Sequence, residues 1–154
     1  MQKVTVRRIV VPLDFSDPAR SALAYAGGLG QTFGAELVLT YVAEPPPFAP
    51  DLTESHGYEQ KMVARAEAEL RELTQTHIDQ GVKARYVVRF GRPAQEIATL
   101  AREEQADLII IATHGRSGLK HLVGSVTEKV VRLATCPVLV THFDRDEEPL
   151  LADG

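Results

Sequence analysis

Residues 113–127 read Thr-His-Gly-Arg-Ser-Gly-Leu-Lys-His-Leu-Val-Gly-Ser-Val-Thr. Glycines at 115, 118 and 124 let the backbone take positive φ and approach a ligand closely. Arg116, Lys120 and His121 bring positive or potentially positive charge, and Ser125 and Thr127 bring hydroxyl donors. An amphipathic pattern resumes at Gly124-Ser125-Val126-Thr127. A helix starting there would point unpaired N–H groups and the positive end of its dipole outward. Such a set of groups suits an anion, and phosphate above all. The same residues also fit a plainer role, in which Gly115 and Gly118 turn the chain and Ser125 caps the helix. His114 is expected to brace the loop by a hydrogen bond, with contact to phosphate as the alternative.

Other chemistry finds less support. The run Gly27 to Gly34 resembles a dinucleotide fingerprint, but it falls late in a predicted helix and Phe33 takes the last glycine position. Helix packing and a stop at Gly34 explain it better. No Gly-x4-Gly-Lys-Ser/Thr loop occurs. In Gly115 to Gly118 the serine directly precedes the second glycine, so it is no nucleophile elbow. His56, His77, His114, His121 and His142 lack metal-ligand spacing. Cys136, the single cysteine, precedes the last strand and reads as an inert thiol.

The elements that must position the loop alternate along the chain. Arg8 to Leu13 reads as a buried strand. Pro18 to Phe33 places Ala19, Ala22, Leu23, Ala26, Leu29 and Phe33 on one helical face, with Ser16 or Asp17 as cap. Glu36 to Val42 is a second strand. The following long helix carries Tyr58, Met62, Ala66, Leu70 and Leu73 inward. Lys83 to Phe90 alternates like a strand exposed on one face. Gly91 and Pro93 open a helix with Ala94, Ile97, Ala98 and Ala101 inward. Asp107 to Ala112 is apolar throughout, as in a strand covered on both faces. After the loop come a helix with Val126, Val130 and Leu133 inward, and a last strand, Pro137 to Phe143. The order βαβαβαβαβ with right-handed crossovers predicts a three-layer α/β/α sandwich around a five-stranded parallel sheet. Placing the apolar strands centrally gives the order 3-2-1-4-5. Its switch point lies between strands one and four, where ligands bind beyond the carboxyl ends. Pro12-Leu13-Asp14-Phe15-Ser16 and the loop from Thr113 to Ser125 should meet there.

The bulk numbers suit one ordinary domain: 154 residues, 44% hydrophobic and 25% charged. Residues 1–143 are expected to form it, with 144–154 as an acidic tail. That tail holds Asp144, Asp146, Glu147, Glu148 and Asp153 against Arg145, and so accounts for the whole net charge of -4. The rest is near neutral, which argues against broad nucleic-acid binding. No apolar run is long enough to cross a bilayer, and no signal-peptide h-region is apparent. With one cysteine, a cytoplasmic setting and no membrane partner are expected.

Val11 to Ser16 (VPLDFS), Phe33 to Leu39 (FGAELVL), Gly91 to Ile97 (GRPAQEI), Thr113 to His121 (THGRSGLKH), Gly124 to Arg132 (GSVTEKVVR) and Cys136 to Val140 (CPVLV) together resemble the universal stress protein family. The similarity runs from about Arg8 to Phe143. It implies the adenine-nucleotide-alpha-hydrolase-like type of α/β fold and, in one branch, an ATP site with the pattern Gly-x2-Gly-x9-Gly-Ser/Thr. Carried over, the pattern sets Asp14 against adenine or ribose, Pro12 and Leu13 beside the base, and Val42 as a wall of the adenine. Ala112, Gly115, Arg116, Gly118, Gly124, Ser125, Val126 and Thr127 would surround ribose and phosphates. The sequence departs from the pattern twice. Ala112 stands at the first glycine, and the spacer Arg116 to Val123 has eight residues in place of nine.

The resemblance also implies a homodimer built through Val138–Phe143, and an apolar last strand at a sheet edge invites such pairing. The Pro-rich stretch Ala43 to Gly57 reads either as a lid, with Phe48 or Leu52 over the base, or as a stiff spacer. The expected function is a cytoplasmic stress-response protein regulated by ATP, ADP or AMP. A slow ATPase and a dimeric member that binds no nucleotide are the alternatives. No residue stands out as a general base for water.

Overall fold

The computed structural model describes residues 1–45, 52–114 and 123–143, with side chains from 57 onward in the middle segment. Its elements are β1 (Arg8–Pro12), α1 (Asp17–Phe33), β2 (Glu36–Ala43), α2 (Leu52–Asp79), β3 (Ala84–Phe90), α3 (Pro93–Glu103), β4 (Leu108–Ala112), α4 (Ser125–Leu133) and β5 (Val138–Thr141). All the strand pairs are parallel, in the order β3-β2-β1-β4-β5. The strand order read from hydrophobic patterning is the observed one.

Strand alternation builds two cores. Ile9, Val11, Leu37, Leu39 and Ile110 face α1 and α2, under Ala22, Leu23, Ala26 and Leu70. Val10, Val38, Ile109 and Ile111 face α3 and α4, under Ile97, Leu100 and Val130. Both faces of the central strands are covered, hence their unbroken apolar runs. Gly27 and Gly30 let α1 lie close to its neighbours. A Cβ would fall 3.0 Å from the His77 ring at Gly27 and 2.9 Å from Val82 at Gly30. The glycine run is therefore a packing device. His77 is buried there, with Nδ1 2.8 Å from the Leu73 carbonyl. Gly34, at φ 66, ends α1 in the left-handed conformation.

Several expected inward residues are exposed. Tyr58 is 61% and Met62 38% exposed. The 28-residue α2 is about 42 Å long, against about 26 Å for the eight-residue β2. The helix is longer than the strand beside it, and among its described side chains, from Gly57 onward, burial begins at Ala66. Phe33 and Leu133 are the last residues of their helices and also lie open, at 49% and 46%. The final strand ends at Thr141 and does not reach Phe143. Among the described residues, no helix is long and apolar enough to cross a membrane. The acidic tail, and Phe48 of the lid reading, lie outside the described residues; for Leu52 only the backbone is described.

Candidate ligand crevice at the β1–β4 switch point

β1 follows β2 from Arg8↔Glu36 to Pro12↔Thr40, but pairs with β4 only at Ile9↔Leu108 and Val10↔Ile109. Pro12 explains where the two strands part. Parallel strands send successive backbone groups alternately to their two neighbours. Leu13 donates its N–H to Thr40 of β2 at 2.8 Å, and Arg8 offers its carbonyl to Asp107 beside β4 at 2.9 Å. Residue 12 therefore faces β4, where proline has no N–H to give. The ladder stops, and beyond Val10 and Ile109 the carboxyl ends of β1 and β4 run unpaired with each other.

One wall is the β1–α1 turn. Leu13 directs its side chain into the α1 core. Asp14 is half-buried, and its Oδ1 accepts from Ser16 N–H at 3.0 Å and from the Ser16 hydroxyl. The Ser16 hydroxyl oxygen also accepts from Ala19 N–H at 3.3 Å, capping α1. Between them Phe15 sits at φ 62. That region costs a residue with a Cβ about 1–2 kcal/mol. Its ring stacks on Tyr41 of β2, with centroids 5.4 Å apart and planes 27° apart. Val42, at the end of β2, packs on the opposite face of the sheet, toward α3 and α4.

The other wall is the β4–α4 junction. Gly124 donates its N–H to the Thr113 carbonyl at 2.6 Å, and the Thr127 hydroxyl donates to the Ala112 carbonyl at 2.7 Å. These two bonds fasten the start of α4 to the end of β4. A Cβ on Gly124 would lie 3.3 Å from the Thr113 carbonyl oxygen and 3.5 Å from His114 Cα. A Cβ there would be tight, so glycine is favoured for space and not for its φ of -60°, which suits any residue. Gly124 is the N-cap and brings no side chain to the first amides of α4. Among the described residues those amides, on Ser125, Val126 and Thr127, meet no acceptor, which suits them to an outside partner. Ser125 is exposed, whereas Val126 leans on the α3/α4 core. Thr127 is 4% exposed with its hydroxyl proton committed to Ala112, so its main chain is what it offers a ligand.

Both departures from the glycine pattern gain a physical meaning. Ala112 buries its methyl in the α1-side core and has no positive φ, so that position does not require glycine. The shortened spacer is closed at its base by the Gly124–Thr113 bond. Gly115, Arg116, Gly118, Lys120 and His121 lie outside the described residues. His114 Nδ1 lies 3.0 Å from the hydroxyl of its neighbour Thr113. Cys136 sits before β5, at the opposite end of the sheet, and burial pushes its thiol above the usual range. Among the described residues, no cluster of His, Cys, Asp or Glu is arranged to hold a metal.

The sequence reading missed Phe15, Ser16 as the partner of Asp14, and the direction of the donor Pro12 lacks. Asp-x-Ser before a helix could have signalled the second, because such a serine can bond both the aspartate and the helix amides.

The model of the universal stress protein family matches residues 5–142. The chain belongs to that family. A universal stress protein of Methanocaldococcus jannaschii is 33% identical over 145 residues, spanning 92% of this chain and 85% of the relative. The structure of universal stress protein UspA from Lactobacillus plantarum superposes with a TM-score of 0.84 at 26% identity, over 91% of this chain and 100% of that one. A universal stress protein in complex with cAMP gives 0.70 at 25% identity, over 92% and 100%. The universal stress protein fold is therefore common to this chain and to a relative that holds an adenine nucleotide.

Proposed function

We propose that this universal stress protein binds an adenine nucleotide, ATP in the first place and AMP or ADP as related ligands, in the β1–β4 crevice. It then acts as a cytoplasmic, nucleotide-dependent regulator. The observation that carries the reading is the start of α4. Its first amides have no side-chain cap from Gly124, and they are fastened beside the end of β4, across the opening from Asp14. The nine-residue helix adds its dipole to those donors. Phosphates would sit on Gly124, Ser125, Val126 and Thr127, with Gly115, Arg116 and Gly118 of the intervening loop. Asp14, Pro12, Leu13 and Val42 would take the nucleoside.

Hydrolysis has less support. Asp14 is engaged with Ser16, and Glu128 in the first turn of α4 is bonded to Arg132 at 2.7 Å. Asp14 would face the nucleoside and not the phosphates, and Glu128 is paired, so neither is placed as a base for water. A homodimer through Val138–Phe143 is supported by the half-exposed β5, which among the described strands pairs only with β4, and by exposed Val131 and Leu133 on α4.

Titration of the purified protein with labelled ATP tests the reading. Saturable binding at or below millimolar concentration is expected, with a matching rise in Tm, because a ligand specific to the folded state stabilises it. Absence of both for ATP, ADP and AMP would leave the alternative, a dimeric stress protein without a nucleotide. The eight-residue spacer is what favours that second reading.

A further inference from the structure

We propose that Ser16 is a positioning residue for the nucleoside end of the crevice, holding the Asp14 carboxylate ready to accept a hydrogen bond from a ribose hydroxyl or an exocyclic amine. The proposal rests on the nucleotide reading above and adds the residue that would set its geometry.

Three donors and acceptors line up in one direction. Ala19 N–H donates to the Ser16 hydroxyl oxygen, and that hydroxyl donates in turn to Asp14 Oδ1. Ser16 N–H reaches the same oxygen at 3.0 Å. Phe15 makes this possible, because its left-handed φ of 62 folds residue 16 back over residue 14. The ring stack on Tyr41 holds that turn against β2. Oδ1 is thus tied from two sides, whereas among the described residues Oδ2 has no hydrogen-bond partner.

An ionised carboxylate only accepts, so whatever Oδ2 takes must be a donor. Nucleoside donors fit, and phosphate oxygens do not. The terminal torsion of aspartate is broad and loosely held by itself. With both Ser16 groups in place it is fixed before the ligand arrives, and that order need not be imposed on binding. The hydroxyl therefore has two separable tasks: capping α1 and orienting Asp14.

Ser16→Gly separates them. Glycine is tolerated at an N-cap at little cost to the helix, and it keeps the N–H to Asp14 while deleting the hydroxyl. Ser16→Thr keeps the hydroxyl. Affinities for ATP and for tripolyphosphate, which has no nucleoside, are measured for both variants and for the wild type, alongside thermal melts. Ser16→Gly is expected to weaken ATP about tenfold and to leave tripolyphosphate within about twofold. Ser16→Thr is expected to restore ATP. In an Asp14→Asn background the Ser16→Gly loss should vanish, because the serine acts through the carboxylate.

Wild-type affinity for ATP in Ser16→Gly overturns the proposal and leaves the nucleotide reading standing. So does an equal loss for both ligands, a failure of threonine to rescue, or a loss that simply adds to that of Asp14→Asn. No ATP binding by the wild type overturns the nucleotide reading, and the role of Ser16 falls with it.

Discussion

The amino end of the sheet and the β1–β4 junction at its carboxyl end are built on different principles. At the amino end, charged side chains tie the elements together. Arg8 Nε bonds Glu36 at 3.1 Å, and its guanidinium also donates to the Glu104 carbonyl at 2.6 Å. Arg85 reaches Glu36 at 3.2 Å and binds the Glu104 carboxylate through both of its terminal nitrogens. Asp107 accepts from the N–H groups of Arg7 and Arg8 at 2.8 and 3.1 Å. At the carboxyl end, Pro12 withholds a donor, Gly124 withholds a cap and Phe15 holds an unfavourable φ. Paired charges join elements where no ligand is expected, and unmet bonding capacity is left where one is. The contrast predicts that variants at the two ends separate stability from binding.

The largest effect is expected from Gly124→Val. A Cβ there meets the Thr113 carbonyl oxygen at 3.3 Å, so the start of α4 must move away from β4. Two main-chain donors to phosphate at about 1.5 kcal/mol each would be misplaced, lowering ATP affinity about a hundredfold. The cost in stability is about 2 kcal/mol, from crowding and from a poor N-cap. Calorimetric titration and urea denaturation read the two separately. ATP affinity close to wild type would erase the contrast at its carboxyl end.

Glu104→Gln tests the amino end. Hydrogen bonding from the Arg85 side chain holds the Glu104 carboxyl below its ordinary value of 4.5. Its partner is 39% exposed, so solvent screening limits the expected loss to about 1 kcal/mol. The folded-state pKa is depressed, so this contribution is fully present above the unfolded value and fades as pH falls through the folded one. The variant should trail the wild type by a constant amount from pH 6 to pH 8, and the gap should close below pH 4.5. ATP affinity at pH 7 should stay at the wild-type level. A gap that persists in acid would mean that shape, not charge, matters at Glu104.

Much of this was legible in the chain. The unbroken apolar runs at Ile9–Val11 and Ile109–Ile111 dictate burial on both faces, and with right-handed crossovers that leaves few strand orders. Gly124-Ser125-Val126-Thr127 marked the start of α4 because a glycine before a hydroxyl and a fresh amphipathic pattern has few other uses. Helix periodicity shows which side of a helix is apolar but not how much longer the helix is than the strand beside it, so Tyr58 and Met62 were misplaced inward. The Thr127 hydroxyl looked outward-facing because its partner, the Ala112 carbonyl, is a backbone group fifteen residues away. Backbone strain at Phe15 leaves no mark in composition or period, since phenylalanine is among the residues least expected at positive φ.

The smallest effect tests that strain. Replacing Phe15 by alanine or glycine removes the stack on Tyr41, which contributes about 0.5–1.5 kcal/mol beyond its buried area. Both variants should therefore be less stable than the wild type. They differ in backbone cost. At most positions glycine is the weaker choice by about 0.5–1 kcal/mol, because it loses more freedom on folding. At φ 62 alanine keeps the clash of its Cβ, and glycine does not. Glycine should thus be the more stable of the two by about 1 kcal/mol, a reversal of the usual rank. Urea denaturation of the pair measures it. If alanine is the more stable, the β1–α1 turn is not held in the left-handed region, and the carboxyl end stores no strain for a ligand to exploit. If glycine is the more stable yet binds ATP less well, the stacked ring is holding Asp14 and Ser16 in place at a cost to the fold.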